Sequence, residues 1–190
     1  LLGSSSNYLD AGAPASLQFP ATGQWTVEFW VKPNDTNGGW WGIANDGDAQ
    51  LNGTGQWLIW GGNFHYYRHT EGEYLLTTPV SAGVWTHFAT SYNNGVYTFY
   101  KNGVPVGTAN QTYVPATGWE LGRIWGNASL DGYLDEFRIW NTERSAAEIA
   151  ANMNLELAGT ESGLAAYFKL DDAANIGLDC TANSNYACEK

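Results

Sequence analysis

The stretch NDGDAQLNG, residues 45–53, sets Asn45, Asp46 and Asp48 close together in a glycine-rich loop. Carboxylates and amides at alternate positions are what a hard, oxygen-seeking cation such as Ca²⁺ recruits. A solvated turn without metal is the competing reading of the same residues, because the stretch lacks the length and closing Glu of an EF-hand. Acid–base chemistry on a sugar polymer would need two carboxyl groups converging at roughly 5 to 10 Å. Glu71 and Glu73 have a strand's period but flank Gly72 in what reads as a turn, and Asp171-Asp172 closes a strand. Asp135 and Glu136 are adjacent, so regular alternation sends them to opposite faces. His65, His69 and His87 are scattered, and no Ser or Cys stands in a nucleophile-elbow context. The expectation is a protein without catalysis.

Aromatic residues offer a second chemistry. Trp40, Trp41, Trp57, Trp60, Tyr66, Tyr67, Trp119 and Trp125 cannot all point inward, since neighbours on a strand face opposite sides. Flat sugar faces stack on such rings, and hydroxyls pair with Asn, Asp and Arg side chains. The candidate ligand-binding set is Trp41, Trp57, Trp60, Tyr66, Tyr67, Arg68, Arg123 and Trp125, with core packing as the competing reading for each ring.

The whole composition narrows the partner. Eight Lys plus Arg face nineteen Asp plus Glu, for a net charge of −11, which argues against nucleic acid or anionic lipid, since phosphate binding needs clustered cations. Neutral ligands or cations fit better. No apolar run has bilayer-spanning length, so membrane insertion is not expected. The chain begins with Leu rather than Met and reads as an excerpt of a longer or processed protein. Cys180 and Cys188 close a short C-terminal segment with no third Cys or His beside them. A disulfide is the expectation, pinning a tail with about 2 to 3 kcal/mol and pointing to an oxidising compartment.

The elements that must position these residues are strands. Trp25, Val27, Phe29 and Val31 alternate with Thr26, Glu28, Trp30 and Lys32, and Thr86 to Tyr92 repeats the pattern. YNNGVYTFYKNGVPV, residues 92–106, holds two Asn-Gly turns a short strand apart and predicts a meander. Further strands are expected at 7–11, 41–45, 57–60, 64–69, 74–77, 120–124, 132–140 and 164–170. One helix is signalled: Ser145 with Glu148 three residues on forms a capping box, followed by Ile149 and Met153 as an apolar stripe. A dozen or so short strands and a single helix predict an all-β fold, a two-sheet antiparallel jelly-roll sandwich in one domain over residues 1–190.

The blocks TVEFWVKP, GVWTHFATSYNNGVYTFYKNGVPVG, ELGRIWGNASLDGYLDEFRIWNTERSAAEI and GLAAYFKLDD together resemble the laminin-G-like group of the concanavalin A-like jelly rolls, which includes the pentraxins. The resemblance covers nearly the whole chain and explains the lone helix after the Asp-Glu strand. By resemblance to pentraxins, calcium would be held by Asn45, Asp46 and Asp48 with Asn127 and Asp131. The laminin-G-like domains add Asp135 as a separate rim position. The function this implies is non-catalytic carbohydrate binding by a calcium-containing, lectin-like module of a secreted or cell-surface protein, with glycan and neighbouring domains as partners. The alternative is a structural or protein-binding adhesion module without a glycan site.

Overall fold

The computed structural model describes residues 8–47, 55–68, 72–115, 118–124, 128–171, 176–185 and 187–189. Along them run β1 (Leu9–Gly12), β2 (Gln24–Pro33), β3 (Trp41–Asn45), β4 (Gln56–Trp60), β5 (Asn63–Arg68), β6 (Glu73–Pro79), β7 (Thr86–Asn93), β8 (Val96–Lys101) and β9 (Val104–Asn110). They are followed by β10 (Trp119–Leu121), β11 (Arg123–Ile124), β12 (Ala128–Ser129), β13 (Gly132–Trp140), α1 (Ala146–Asn152), β14 (Leu164–Phe168) and β15 (Cys188–Glu189). One sheet has the order β15-β1-β10-β3-β4-β5-β6, the other β14-β13-β2-β7-β8-β9, and β11 and β12 form a small ribbon. This is the expected all-β, two-sheet antiparallel sandwich with one short helix.

Period-two patterning builds the core. Trp25, Val27, Phe29 and Val31 are buried in it, with Phe29 stacked on Phe137 at 5.5 Å. Phe64 of one sheet lies on Phe88 of the other at 3.8 Å between ring centroids. The helix forms as expected: the Ser145 hydroxyl accepts from the Glu148 amide, and the Glu148 carboxylate accepts from the Ser145 amide at 2.8 Å. Ile149 docks the helix on Ala89 and Tyr100, on the outer face of the six-stranded sheet.

That docking explains why the outward-facing residues of β2 and β13 are charged and yet buried. Glu28 and Arg138 lie under the helix and the segment after it, each 1% exposed. Arg138 donates to the Asn152 carbonyl at 3.1 Å and also to Leu155 O and Glu136. Glu28 accepts from the Trp140 indole at 2.9 Å and faces His87 at 3.4 Å and Arg138 at 3.7 Å. Buried charges are tolerable when paired and hydrogen-bonded in this way.

Four local expectations are corrected. The strand expected at 120–124 breaks in two at Gly122, whose φ of +86° leaves the extended region. The strand expected at 164–170 ends at Phe168, and Leu170 has φ +62°. Asp135 and Glu136 do not part to opposite faces: the β13–β2 register shifts between Asp135 and Arg138, Glu136 takes φ +52°, and both residues line one pocket. A bulge of this kind inserts a residue and resets the alternation.

The expected Cys180–Cys188 disulfide is the fourth correction, since Cys180 is a free, partly buried thiol. Burial holds that thiol above its ordinary pKa. Cys180 bonds through its amide to Tyr167 on the edge of one sheet, whereas the Cys188 backbone pairs with Asp10 on the edge of the other. A polar knot ties the tail instead. The buried Asp179 carboxylate accepts from the amides of Tyr167, Thr181 and Asn185 at 2.8 to 3.0 Å and from the Thr181 hydroxyl at 2.9 Å.

Candidate functional site

Strand parity on the seven-stranded sheet divides its rings between core and surface. Along β4, Trp57 and Ile59 enter the core while Trp60 points outward, 43% exposed. The β4–β5 hairpin closes through Gly61 and Gly62, both at positive φ, the conformation a two-residue turn requires. It sets Trp60 opposite Asn63, Leu58 opposite His65 and Gln56 opposite Tyr67. His65 and Tyr67 therefore share the outer face with Trp60, and a register shift between Tyr66 and Tyr67 puts Tyr74 of β6 opposite Tyr67.

The result is a continuous strip of rings. Trp40, in the loop before β3, stacks on Trp60 at 5.0 Å with 12° between planes. Trp60 neighbours His65 at 6.2 Å, His65 neighbours Tyr74 at 4.8 Å, and Tyr74 neighbours Tyr67 at 4.8 Å. His65 is fixed at both nitrogens, Nε2 at 3.1 Å from the Trp60 carbonyl and Nδ1 at 2.9 Å from the Thr77 hydroxyl. A carbonyl can only accept, so Nε2 carries the proton and Nδ1 accepts from Thr77. Burial depresses the His65 pKa below its ordinary value, which keeps the imidazole neutral at pH 7. The strip is aromatic and uncharged, a surface that stacks on flat, neutral C–H faces.

Of the expected ligand-binding set, Trp60 and Tyr67 lie in this strip. Trp57 and Tyr66 do not: both are core residues at 0% and 1% exposure, with the Trp57 indole donating across the sandwich to Thr90 at 3.0 Å. Their parity on β4 and β5 is the reason. Trp41 packs against the core from its edge. Arg68 is buried and donates to Gln111 at 3.0 Å and to the Thr112 carbonyl. Arg123 is ion-paired with Glu120 and lies 3.5 Å over the Tyr8 ring, so its donors are committed internally. Trp125 lies outside the described residues. Trp40, His65 and Tyr74 were not in the expected set, and pairing β5 with β6 across the turn at Gly72 was the signal that could have found Tyr74.

The described members of the expected calcium set do not converge. Asn45 spans to Glu120 at 3.2 Å and accepts from the Gly47 amide, and Asp46 accepts from the Gly55 amide at 2.5 Å. Asp131 accepts from the Asn34 side chain at 2.9 Å, and Asp135 sits on the other sheet. Among the described residues no group of three or more His, Cys, Asp or Glu side chains is arranged to hold a metal ion. Asp48 and Asn127 lie outside the described residues. Among the described residues, Asn45, Asp46 and Asp131 each have a hydrogen-bond partner within the protein.

An antiparallel two-sheet sandwich with a ring-bearing outer face is a lectin-like fold. Residues 3–150 match the Laminin_G_3 family, described as the Concanavalin A-like lectin/glucanases superfamily, and the chain belongs to it. Among solved structures the chain is similar to a candidate carbohydrate binding protein from Bacteroides ovatus ATCC 8483, with TM-score 0.77 and 19% identity over 97% of this chain and 56% of that one. It is also similar to the heptameric SAP-like pentraxin of Limulus polyphemus, with TM-score 0.54 and 16% identity over 77% of this chain and 81% of that one. A third is domain 4 of an extracellular arabinanase from Geobacillus stearothermophilus in complex with arabinotriose, with TM-score 0.56 and 21% identity over 75% and 68%. The chain thus spans little more than half of the Bacteroides ovatus protein. No curated protein matches. Among the described residues no helix is long and apolar enough to cross a membrane.

Proposed function

We propose that this chain is a non-catalytic carbohydrate-binding module of a larger secreted or cell-surface protein, and that glycan lies along the strip Trp40, Trp60, His65, Tyr74 and Tyr67. The observation that carries the reading is the continuous run of uncharged rings on one sheet face, in which Trp60 and Tyr74 are exposed, Trp40 and Tyr67 are half-buried and His65 is a buried link between Trp60 and Tyr74. Each sugar ring of a chain has an apolar face, so a row of side-by-side rings suits an oligosaccharide better than a single monosaccharide. Membership of a lectin and glucanase superfamily supports this, as do the carbohydrate-linked names of the Bacteroides ovatus and Geobacillus neighbours.

The strip is built of five uncharged rings and contains no carboxylate. Incubation with soluble polysaccharides is therefore expected to release no reducing ends. Turnover abolished by Asp135→Asn would instead establish catalysis at the acidic pocket of the other sheet.

A glycan array with the purified chain, run in calcium and in chelator, tests binding directly. Repeatable binding to a defined glycan class that Trp60→Ala abolishes or weakens supports the module and its site. An array without hits moves the chain to a protein-binding adhesion role. Loss of binding in chelator, together with a melting temperature several degrees higher in calcium, would return calcium to the account through the acidic loop.

A further inference from the structure

A pocket of about 400 Å³ opens on the opposite side of the molecule, on the outer face of the six-stranded sheet, within the size range of roughly 300 to 1,000 Å³ typical of small-ligand sites. Its aromatic lining is Trp30 and Trp85, its acidic lining Asp135, Glu136 and Glu156. Trp30 projects from β2 and is locked there, because its indole N–H donates to the Met153 carbonyl at 2.6 Å and its ring abuts His87 at 5.3 Å. Trp85, just before β7, is 40% exposed and braced by Tyr133 at 6.3 Å. The bulge in β13 is what brings both adjacent carboxylates to this side.

The carboxylates are not equivalent. Glu136 is committed to Arg138 and to the Tyr167 hydroxyl at 2.7 to 2.8 Å, and Glu156 is paired with Lys169. Asp135 accepts the Glu136 amide at 3.1 Å, and no Lys or Arg among the described residues forms an ion pair with it. Burial, followed by the charge of Glu136, raises its carboxyl above the ordinary aspartate value. An arriving cation would favour the ionised carboxylate and so oppose both effects.

We infer that this pocket is a second binding site, for an alkylammonium group seated between the faces of Trp30 and Trp85 with its charge on Asp135. Indole faces attract a cation through their quadrupole, and a carboxylate partner adds a charge-assisted hydrogen bond. A divalent metal ion is a poorer match, since no trio of metal-ligating side chains is assembled among the described residues. A neutral sugar is poorer as well, because the pocket is rich in acceptors and its Trp30 N–H is already used. The chain's net charge of −11 also favours cations over anions at its surface. The site is separate from the glycan strip and does not depend on it.

The test uses the intact chain and three probes: n-butylammonium, the uncharged n-butanol of similar size, and a short lysine-containing peptide with blocked ends. Tryptophan fluorescence and heteronuclear NMR shifts report occupancy. Butylammonium is expected to bind and to perturb residues around Trp30 and Trp85, with n-butanol at least tenfold weaker. Asp135→Asn and Trp85→Ala should each weaken binding about tenfold or more, whereas Trp60→Ala should not change it. Trp85 is an exposed ring, so its variant stays folded and informative even if Asp135→Asn disturbs β13. Tighter binding of the lysine peptide assigns the group to a polypeptide partner, and equal or weaker binding assigns it to free amines. Equal affinity for butylammonium and butanol, or unchanged affinity in both pocket variants, overturns the inference.

Discussion

Trp57 and Trp60 lie on one short strand and have opposite fates. The indole of Trp57 is buried between the sheets, stacked on Trp119 at 5.9 Å, whereas Trp60 is partly open to solvent. Trp57→Ala is expected to cost about 3 to 5 kcal/mol of folding stability, the range for emptying an aromatic core site, read as a large drop in denaturation midpoint. Trp60→Ala is expected to leave that midpoint nearly unchanged and to cost about 1.4 kcal/mol of glycan affinity, roughly tenfold in Kd. Destabilisation of equal size in both variants would remove the strip as a binding surface. The sequence showed that these rings could not all be inward, but it did not say which were. A one-residue uncertainty in strand phase exchanges every inward side chain for its outward neighbour, and Tyr66 and Tyr67 resolve only when their register with β4 and β6 is known. Arg68 and Arg123 failed differently: their donors are consumed by Gln111, Thr112 and Glu120, partners remote in sequence or across the strand interruption at Gly122.

At the level of elements, what was legible was local. The capping box at Ser145 and Glu148 needs only four consecutive residues, and it formed as read. The bulge in β13 could not be read the same way, because Glu136 in the left-handed region also accepts from the Tyr167 hydroxyl, a partner 31 residues away. The helix is more than an appendage, since it and the turn after it roof Glu28, His87 and Arg138. Ser145→Ala removes the hydroxyl that accepts from the Glu148 amide. The expected cost is about 1 kcal/mol, seen as a lower melting temperature and faster amide exchange in Ala146–Asn152. Ser145→Asp, which keeps an N-capping oxygen, should restore most of it. If Ser145→Ala changes neither, α1 is held by Ile149 alone and the cap is dispensable.

Across the whole molecule the two sheets have different outer faces, one bearing the ring strip and the other a buried charge network under the helix. The family blocks made the sandwich legible, because alternation and Asn-Gly turns are short-range signals. The polar knot at Asp179 and the pairing of Glu28 with Arg138 are long-range and were not. Glu28 gives this asymmetry a pH signature. Burial alone would raise its pKa, but the hydrogen bond and charge of His87, the charge of Arg138 and the Trp140 indole outweigh burial and leave it below its ordinary value of 4.5. A carboxyl whose folded pKa is depressed contributes stability that is complete above the unfolded value and is lost as pH falls through the folded one. Glu28→Gln should therefore melt well below the parent at pH 7, where removing one partner of a buried pair costs about 3 to 5 kcal/mol. The gap between the two should narrow as pH falls from 4.5, the ordinary value, through the lower folded one. Other carboxylates with lowered pKa values, Glu148 and Glu161 among them, titrate in both proteins and cancel in the comparison. A gap that is the same at pH 7 and pH 3 would show that Glu28 acts by shape and packing rather than by charge, and that the network under the helix holds no net electrostatic stabilisation.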